Sequence, residues 1–211
     1  MTEQYTTEAG QIQQEFSAAA GRITGGYHDA LDQLRENTVS TDEERIDLAY
    51  DAHGKAQQDY RQALGQRNAR FAERESEIRE DLFHAPTAKS ANAYTEALST
   101  AFNADDDRLR ELAARAEKTG SDLLARACFV EALERGMGDI SVTYLNNRPE
   151  ARSLFRELGE IPTPGVRERA LETNLPKPTL EEVRTSPEAA MAAQRIQEAE
   201  RMRYSQRIMG H

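Results

Sequence analysis

The sequence predicts an all-α protein, and three observations predict it. Apolar residues recur at alternating four- and three-residue steps over long stretches, and helix-start and helix-stop residues fall at the ends of those stretches. Runs of β-branched and aromatic residues that would make strands are missing; the nearest candidate, Ile140–Leu145, is short and lies between helical patterns. At 211 residues the chain is long enough for one or two domains. A hydrophobic share of 38%, much of it alanine, against a charged share of 30% fits helices with narrow apolar stripes better than one thick core.

Ile12, Phe16, Ala19, Ile23, Tyr27, Ala30 and Leu34 keep to one stripe, which predicts a first helix over about residues 6–37. Gly21, Gly25 and Gly26 lie inside it, each costing ~1 kcal/mol relative to alanine, and predict a bend or else a close helix–helix approach. The stripe stops at Asn37-Thr38-Val39. Ser40 with Glu43 and Thr41 with Glu44 then form two overlapping capping boxes, and the acids at 42–44 complement a positive helix start. A second stripe follows through Ile46, Tyr50, His53, Tyr60, Leu64, Phe71, Ile78 and Leu82. That helix should end at Phe83, because Pro86 disfavours helical geometry at Ala85. At ~1.5 Å per residue it spans ~60 Å, so it must project or pair along its length. Gln57, Arg67 and Arg74 dilute its stripe where a strict coiled coil would place aliphatics.

From Thr87 the rhythm shortens. A helix over about 88–103 is followed by Asp105-Asp106-Asp107 as the cap of the next, which carries Leu109, Leu112, Ala113 and Ala116 and closes at Lys118-Thr119-Gly120. Ser121-Asp122 caps a helix with Leu124, Cys128, Phe129 and Leu133 that stops at Gly136. Asp139 opens a short helix to about Asn146, and Pro149 suits the first turn of another containing Leu154, Phe155 and Leu158. Short helices on short loops make a bundle, which places the globular core at residues 88–160.

Five of the seven prolines fall between Pro162 and Pro187. Proline fixes φ and removes a donor, so this stretch is extended and stiff. Val166, Leu171, Leu175, Leu180 and Val183 recur along it as apolar pegs. It reads either as a disordered tether or, with those pegs, as a docking arm lying across a neighbouring subunit. Ser186 and Pro187 then start a last helix with a thin apolar face at Ala193, Ile196 and Ala199. The organisation is therefore a helical hairpin at 1–84, a compact bundle at 85–160, a proline-rich arm at 161–186 and a C-terminal helix at 187–211.

The net charge of −10 is uneven: 17 acids against 9 bases over residues 1–83, 13 against 10 over 84–160, and 7 against 8 over 161–211. An acidic body repels nucleic acid at long range, so nucleic acid is not the expected partner. Only the last helix, with Arg195, Arg201, Arg203 and Arg207, leans basic. Cys128 is alone, which excludes an intramolecular disulfide and suits a reducing compartment; flanked by apolar residues, it reads as a small buried hydrophobe. No stretch approaches the ~20 apolar residues of a membrane span, and the first residues lack the pattern of a signal peptide. The default is a soluble intracellular protein with no membrane partner.

The search for chemistry returns little. A di-iron bundle needs Glu-x-x-His units, and the histidine steps are Tyr50-x-x-His53, Asp81-x-x-His84 and Gly25-x-x-His28. Phosphate-loop, dinucleotide, zinc-protease and nucleophile-elbow motifs are missing, so neither a cofactor nor an enzyme is expected. Ala132, Gly136, Met137, Val142 and Leu145 match a helix-turn-helix spacing. Its recognition helix carries no base before Arg148, so a DNA-binding regulator or DNA-packaging adaptor anchored by Arg148, Arg201, Arg203 and Arg207 is the alternative.

The chain thus reads as an elongated interaction protein that docks through Tyr60, Leu64, Phe71 and Ile78 on the hairpin, the five arm pegs and Ile196. With Tyr27-x-x-x-Leu31-x-x-Leu34 before Ser40-Thr41-Asp42-Glu43, residues 1–83 are similar in organisation to uncharacterised helical proteins encoded among bacteriophage head and tail assembly genes. That resemblance implies a virion or assembly component that binds copies of itself or a larger shell, portal or tail protein.

Overall fold

A computed structural model describes residues 7–163, 165–166 and 175–184, together with residues 191, 194, 195 and 198. It is all-α, and no strand occurs among the described residues. Its helices are α1 (Glu8–Glu36), α2 (Asp42–Phe83), α3 (Ala91–Phe102), α4 (Asp106–Thr119), α5 (Asp122–Arg135), α6 (Gly138–Asn147) and α7 (Pro149–Glu160). A 3-10 turn at Ala88–Ser90 precedes α3, and a single helical turn at Leu180–Val183 lies in the arm. Residues 191, 194, 195 and 198 are helical. Ile140–Leu145, the strand candidate, belongs to α6.

Local chemistry sets the boundaries. Thr41 Oγ1 accepts from the Glu44 amide at 3.2 Å while the Glu44 carboxylate accepts from the Thr41 amide at 2.9 Å, the reciprocal box that starts α2. Ser40 takes no part in a box with Glu43; its hydroxyl accepts from the Asn37 side chain at 3.1 Å. Arg45, almost fully buried, ties the connection together by donating to the carbonyls of Asn37 and Ser40 and pairing with Asp42. Replacing Thr41 by alanine is expected to cost about 1 kcal/mol and to speed amide exchange at Glu44; unchanged exchange there would show that the box contributes nothing. Asp105 caps α4 by accepting from the Arg108 amide at 2.8 Å. Gly120 and Gly136 close α4 and α5 with φ of +67° and +71°, and the amides that follow them reach back to Ala116 and Ala132 at 2.9 and 2.8 Å. By contrast α1 runs unbroken through Gly21, Gly25 and Gly26, where an added Cβ would meet nothing within 4 Å, so no close helix approach explains them.

The described residues divide into two compact units, and the division falls inside α1 and α2 instead of at residue 84. One unit joins residues 7–12 to 68–163; the other joins 13–67 to the described residues beyond 164.

In the first unit, Tyr94, Leu109, Leu112, Cys128 and Ile140 pack with the small residues Ala101, Ala127 and Ala132, which let α3, α4 and α5 approach. Phe129 anchors a second cluster with Ala116, Ala125 and Tyr144, bordered by Phe83 and Phe155. Its ring stacks on Tyr144 at 4.4 Å and 13° and meets Phe155 edge-on at 5.9 Å. A third cluster brings Ala9 and Ile12 of α1 against Phe71, Ile78 and Leu82 of α2, covered by Leu154, Phe155 and Leu158 of α7. Residues 68–83 therefore pack with the bundle, which is why the division does not follow the proline at 86. Cys128 is fully buried, and burial pushes its thiol up to about 11, away from nucleophilic use.

In the second unit, Ile23, Tyr27, Leu31 and Leu34 of α1 face Ile46, Ala49, Ala52 and Ala56 of α2, an antiparallel pair in which Ile23, Tyr27, Leu34 and Ile46 belong to the predicted stripes while Leu31 and the three alanines do not. Tyr50 points outward at 49% exposure, and Ala49 takes the inward position. Phe16 meets Tyr60 edge-on at 5.7 Å, and the Arg67 guanidinium lies 4.5 Å over the Phe16 ring.

Candidate functional site: the arm seat on the hairpin

The most developed recognition geometry lies in the second unit, where the proline-spaced arm meets the α1–α2 pair of its own chain. Thr179 and Glu182 build the helical turn at Leu180–Val183 through a reciprocal capping box, with the Thr179 amide 2.7 Å from the Glu182 carboxylate. A single turn sends Leu180 and Val183 to different environments: Leu180 remains 52% exposed, while Val183 is fully buried among Tyr27, Leu31, Ala49 and Ala56. Burying one valine contributes roughly 1.5–3 kcal/mol, which makes Val183 the principal anchor. Pro178 is buried and Leu175 half-buried behind it.

Two carbonyls of the arm fix its direction. His53 Nε2 lies 3.0 Å from the Leu175 carbonyl and donates to it in the Nε2–H tautomer; the His53 ring sits edge-on to Tyr27 at 5.8 Å. Arg35 donates through Nε to the Glu182 carbonyl and pairs with Asp32 at 2.7 Å. Bonds to Thr179, backbone first and then side chain, hold the Glu182 carboxyl below its ordinary range, against the opposing pull of burial and with help from the Arg35 and His28 charges. Burial, then the nearby Glu182 charge, raises the Tyr27 phenol. Beside the seat, Arg22, Ile23, Gly26, Ala30, Ala52 and Lys55 border a hollow of about 390 Å³.

The predicted docking residues separate into spent and unspent groups. Leu64, Phe71 and Ile78 are buried within the chain and Tyr60 is half-buried against Phe16, so the hairpin stripe is an internal seam and not an open surface. Val183 and Leu175 are engaged by the hairpin of the same chain, which replaces the picture of an arm lying on a neighbour. Val166 and Leu180 stay half-exposed; Leu171 and Ile196 lie outside the described residues. Among the described residues, Val39, at 94% beside the start of α2, and Phe102, at 67% at the end of α3, are the most exposed of the large apolar side chains.

For the helix-turn-helix alternative, Ala132 and Met137 are buried as that spacing requires, but Val142 is 57% exposed and α6 turns Ile140, Ser141 and Tyr144 inward. Arg148 is half-buried, bonded to Glu117 at 2.6 Å and Asp122 at 2.9 Å, and lies 4.2 Å over Tyr144. Binding a phosphate there would first break both ion pairs. Arg201, Arg203 and Arg207 lie outside the described residues. Arg148 also borders a hollow of about 450 Å³ with Asp81, Arg126 and Glu150, where Arg126 donates to the carbonyls of Asp81 and His84 at the end of α2.

Sequence reasoning missed His53 and Arg35 as arm ligands. The available signal was a histidine on an apolar stripe position, where a polar ring needs a hydrogen-bond partner. It also passed over Glu157, which lies almost fully buried and holds Arg74 by two bonds of 3.1 and 3.0 Å. Among the described residues no group of three or more His, Cys, Asp or Glu could hold a metal ion, and no helix is long and apolar enough to cross a membrane. Fold and seat together define an all-α chain that holds an extended, proline-spaced peptide on a helical pair. No family model matches the sequence, and neither a curated protein nor a solved structure matches it significantly.

Proposed function

We propose that this is a non-enzymatic structural protein that assembles with copies of itself or with a larger complex, as a bacteriophage virion or assembly component would. The observation that carries the reading is the occupied seat: an α1–α2 surface that binds a proline-spaced segment through one apolar anchor and two carbonyl-directed bonds. Extended segments docked by backbone direction and side-chain pockets are a recurrent recognition mode, and proline lowers the ordering cost of such a segment. The bacteriophage setting rests on the organisation-level resemblance of residues 1–83. It carries a reducing cytoplasm, or the virion itself, as the location.

The test is mass by light scattering across a wide concentration range, with chemical cross-linking beside it. The expected result is a concentration-dependent mass above 23.7 kDa that falls when residues 164–211 are removed. A clean monomer throughout, with the truncation changing neither mass nor recovery of a larger assembly, would overturn the proposal.

A further inference from the structure

We propose that residues 175–184 form an acid-sensitive strap: a proton on Glu182 loosens this segment from the α1–α2 pair of its own chain. The strap is intramolecular, so the proposal goes beyond the assembly reading and does not depend on it.

Glu182 joins the devices that seat the segment. Its carboxylate builds the helical turn, accepting from the Thr179 amide at 2.7 Å and from the Thr179 hydroxyl at 3.0 Å. Its carbonyl accepts from Arg35 of α1. The next residue, Val183, is the side chain buried among Tyr27, Leu31, Ala49 and Ala56. One turn thus presents Val183 to its pocket and the Glu182 carbonyl to Arg35, and a change at the carboxylate reaches both. Protonation replaces charge-assisted bonds with neutral ones, which are about half as strong. It also ends the attraction to the Arg35 and His28 charges.

The other titratable groups around this carboxylate do not loosen the strap on acidification. From α1, a proton on His28 adds positive charge near Glu182 and tightens it. Burial holds the Tyr27 phenol above its ordinary value, so it stays protonated. Asp32 pairs with Arg35 at 2.7 Å, and losing that pair leaves the guanidinium bonded to the Glu182 carbonyl. From α2, His53 donates to the Leu175 carbonyl through Nε2, and the protonated ring still carries that N–H. In the segment itself Lys177, Glu181 and Arg184 are exposed. Loosening therefore falls to Glu182. Bonds to Thr179 hold its carboxyl below the ordinary range while seated, and it returns to that range when the segment lifts. Its contribution to closing is full above the ordinary carboxylate value of about 4.3 and is lost as pH falls through the lower seated value.

The experiment reads a thiol at the anchor. The full chain carries Cys128→Ala with Val183→Cys, and its reaction with an acid-tolerant aromatic disulfide is followed from about pH 7 to about pH 3. A cysteine in an unstructured peptide gives the unprotected rate, and the ratio of the two measures how often the strap opens. Leu175→Cys, half-buried beside His53, repeats the measurement with the Val183 anchor intact. Protection is expected at neutral pH and should fall roughly two- to fivefold on acidification, the worth of a charge-assisted bond over a neutral one at a half-buried site. Far-ultraviolet circular dichroism should stay unchanged across that fall. Glu182→Gln keeps an acceptor without the charge, so it should start at the lower protection at neutral pH and remain flat. Equal protection with and without Glu182→Gln at neutral pH, or the same fall with pH in both, overturns the proposal. So does a lack of protection at both thiol positions, because the segment then has no closed state to loosen. Where acid also melts the helices, circular dichroism reveals it and the neutral-pH comparison decides.

Discussion

Replacing Phe129 with alanine is expected to cost the bundle-containing unit about 3–5 kcal/mol. The ring is fully buried, stacked on Tyr144 at 4.4 Å, stacked again with Phe83 at 6.3 Å, and met edge-on by Phe155 at 5.9 Å. Three aromatic contacts add to the transfer term, since each such pair contributes about 0.5–1.5 kcal/mol beyond its buried area. The small side chains of Ala116 and Ala125 cannot fill the hole, and Leu124, Leu133 and Leu145 border the same cluster. Against a typical total stability of about 5–15 kcal/mol, the loss is large enough to populate the unfolded unit visibly. Urea denaturation should show the midpoint falling at an unchanged slope. Phe129→Leu keeps most of the volume and should lose far less. A loss below about 1 kcal/mol for the alanine variant would mean that this aromatic cluster does not organise the unit.

Helix ends were legible because they are written in local chemistry. Thr41 with Glu44, Asp105, Gly120, Gly136 and Pro149 act on amides and carbonyls within a few residues, and the observed helices start and stop at them. Burial was legible as a face but not as a partner. A stripe at helical spacing says that Phe71 and Ile78 are covered; it does not say that Leu154 and Leu158, more than seventy residues later, cover them. The same limit turned an arm that seats on its own hairpin into one assigned to a neighbour.

Registers one residue apart were also ambiguous. Ala49 and Tyr50 both fit the α2 stripe, and the small residue went inward, into the cluster with Tyr27, Leu31 and Val183. Polar residues on the stripe misled most. Arg67 and Arg74 read as dilution, yet one covers the Phe16 ring and the other is matched by Glu157 on α7. An arginine on an apolar stripe is a request for a distant carboxylate or ring, and one sequence does not state which.

The pairing of Arg74 with Glu157 gives the second large effect. Glu157 accepts two bonds from the guanidinium and a third from the Ala9 amide at 3.0 Å, which ties the start of α1 to α7, while Thr7 bonds Glu160 alongside. Arg74→Met removes the partner and leaves the carboxylate buried, a change that costs about 3–5 kcal/mol when a buried pair is broken from one side. Glu157→Leu should cost less, because Glu77 at 3.0 Å and Glu8 at 3.3 Å still neutralise Arg74. The double variant should recover much of the single-variant loss, since well-packed apolar residues commonly replace a buried pair without penalty; simple addition of the two losses would show that the residues are not coupled. The pH dependence follows from the direction of the shift. Burial alone would raise the Glu157 carboxyl, but the Arg74 and Ala9 bonds overcome it and hold the group below its ordinary value. The unfolded chain therefore binds this proton more readily, so the contribution is fully present above the ordinary carboxylate value of about 4.3 and is lost as pH falls through the lower folded value. Acid unfolding of the wild-type chain should accordingly be steeper than that of the double variant, which has no carboxylate at 157 to protonate. Superimposable acid transitions for the two chains would remove Glu157 from the acid response.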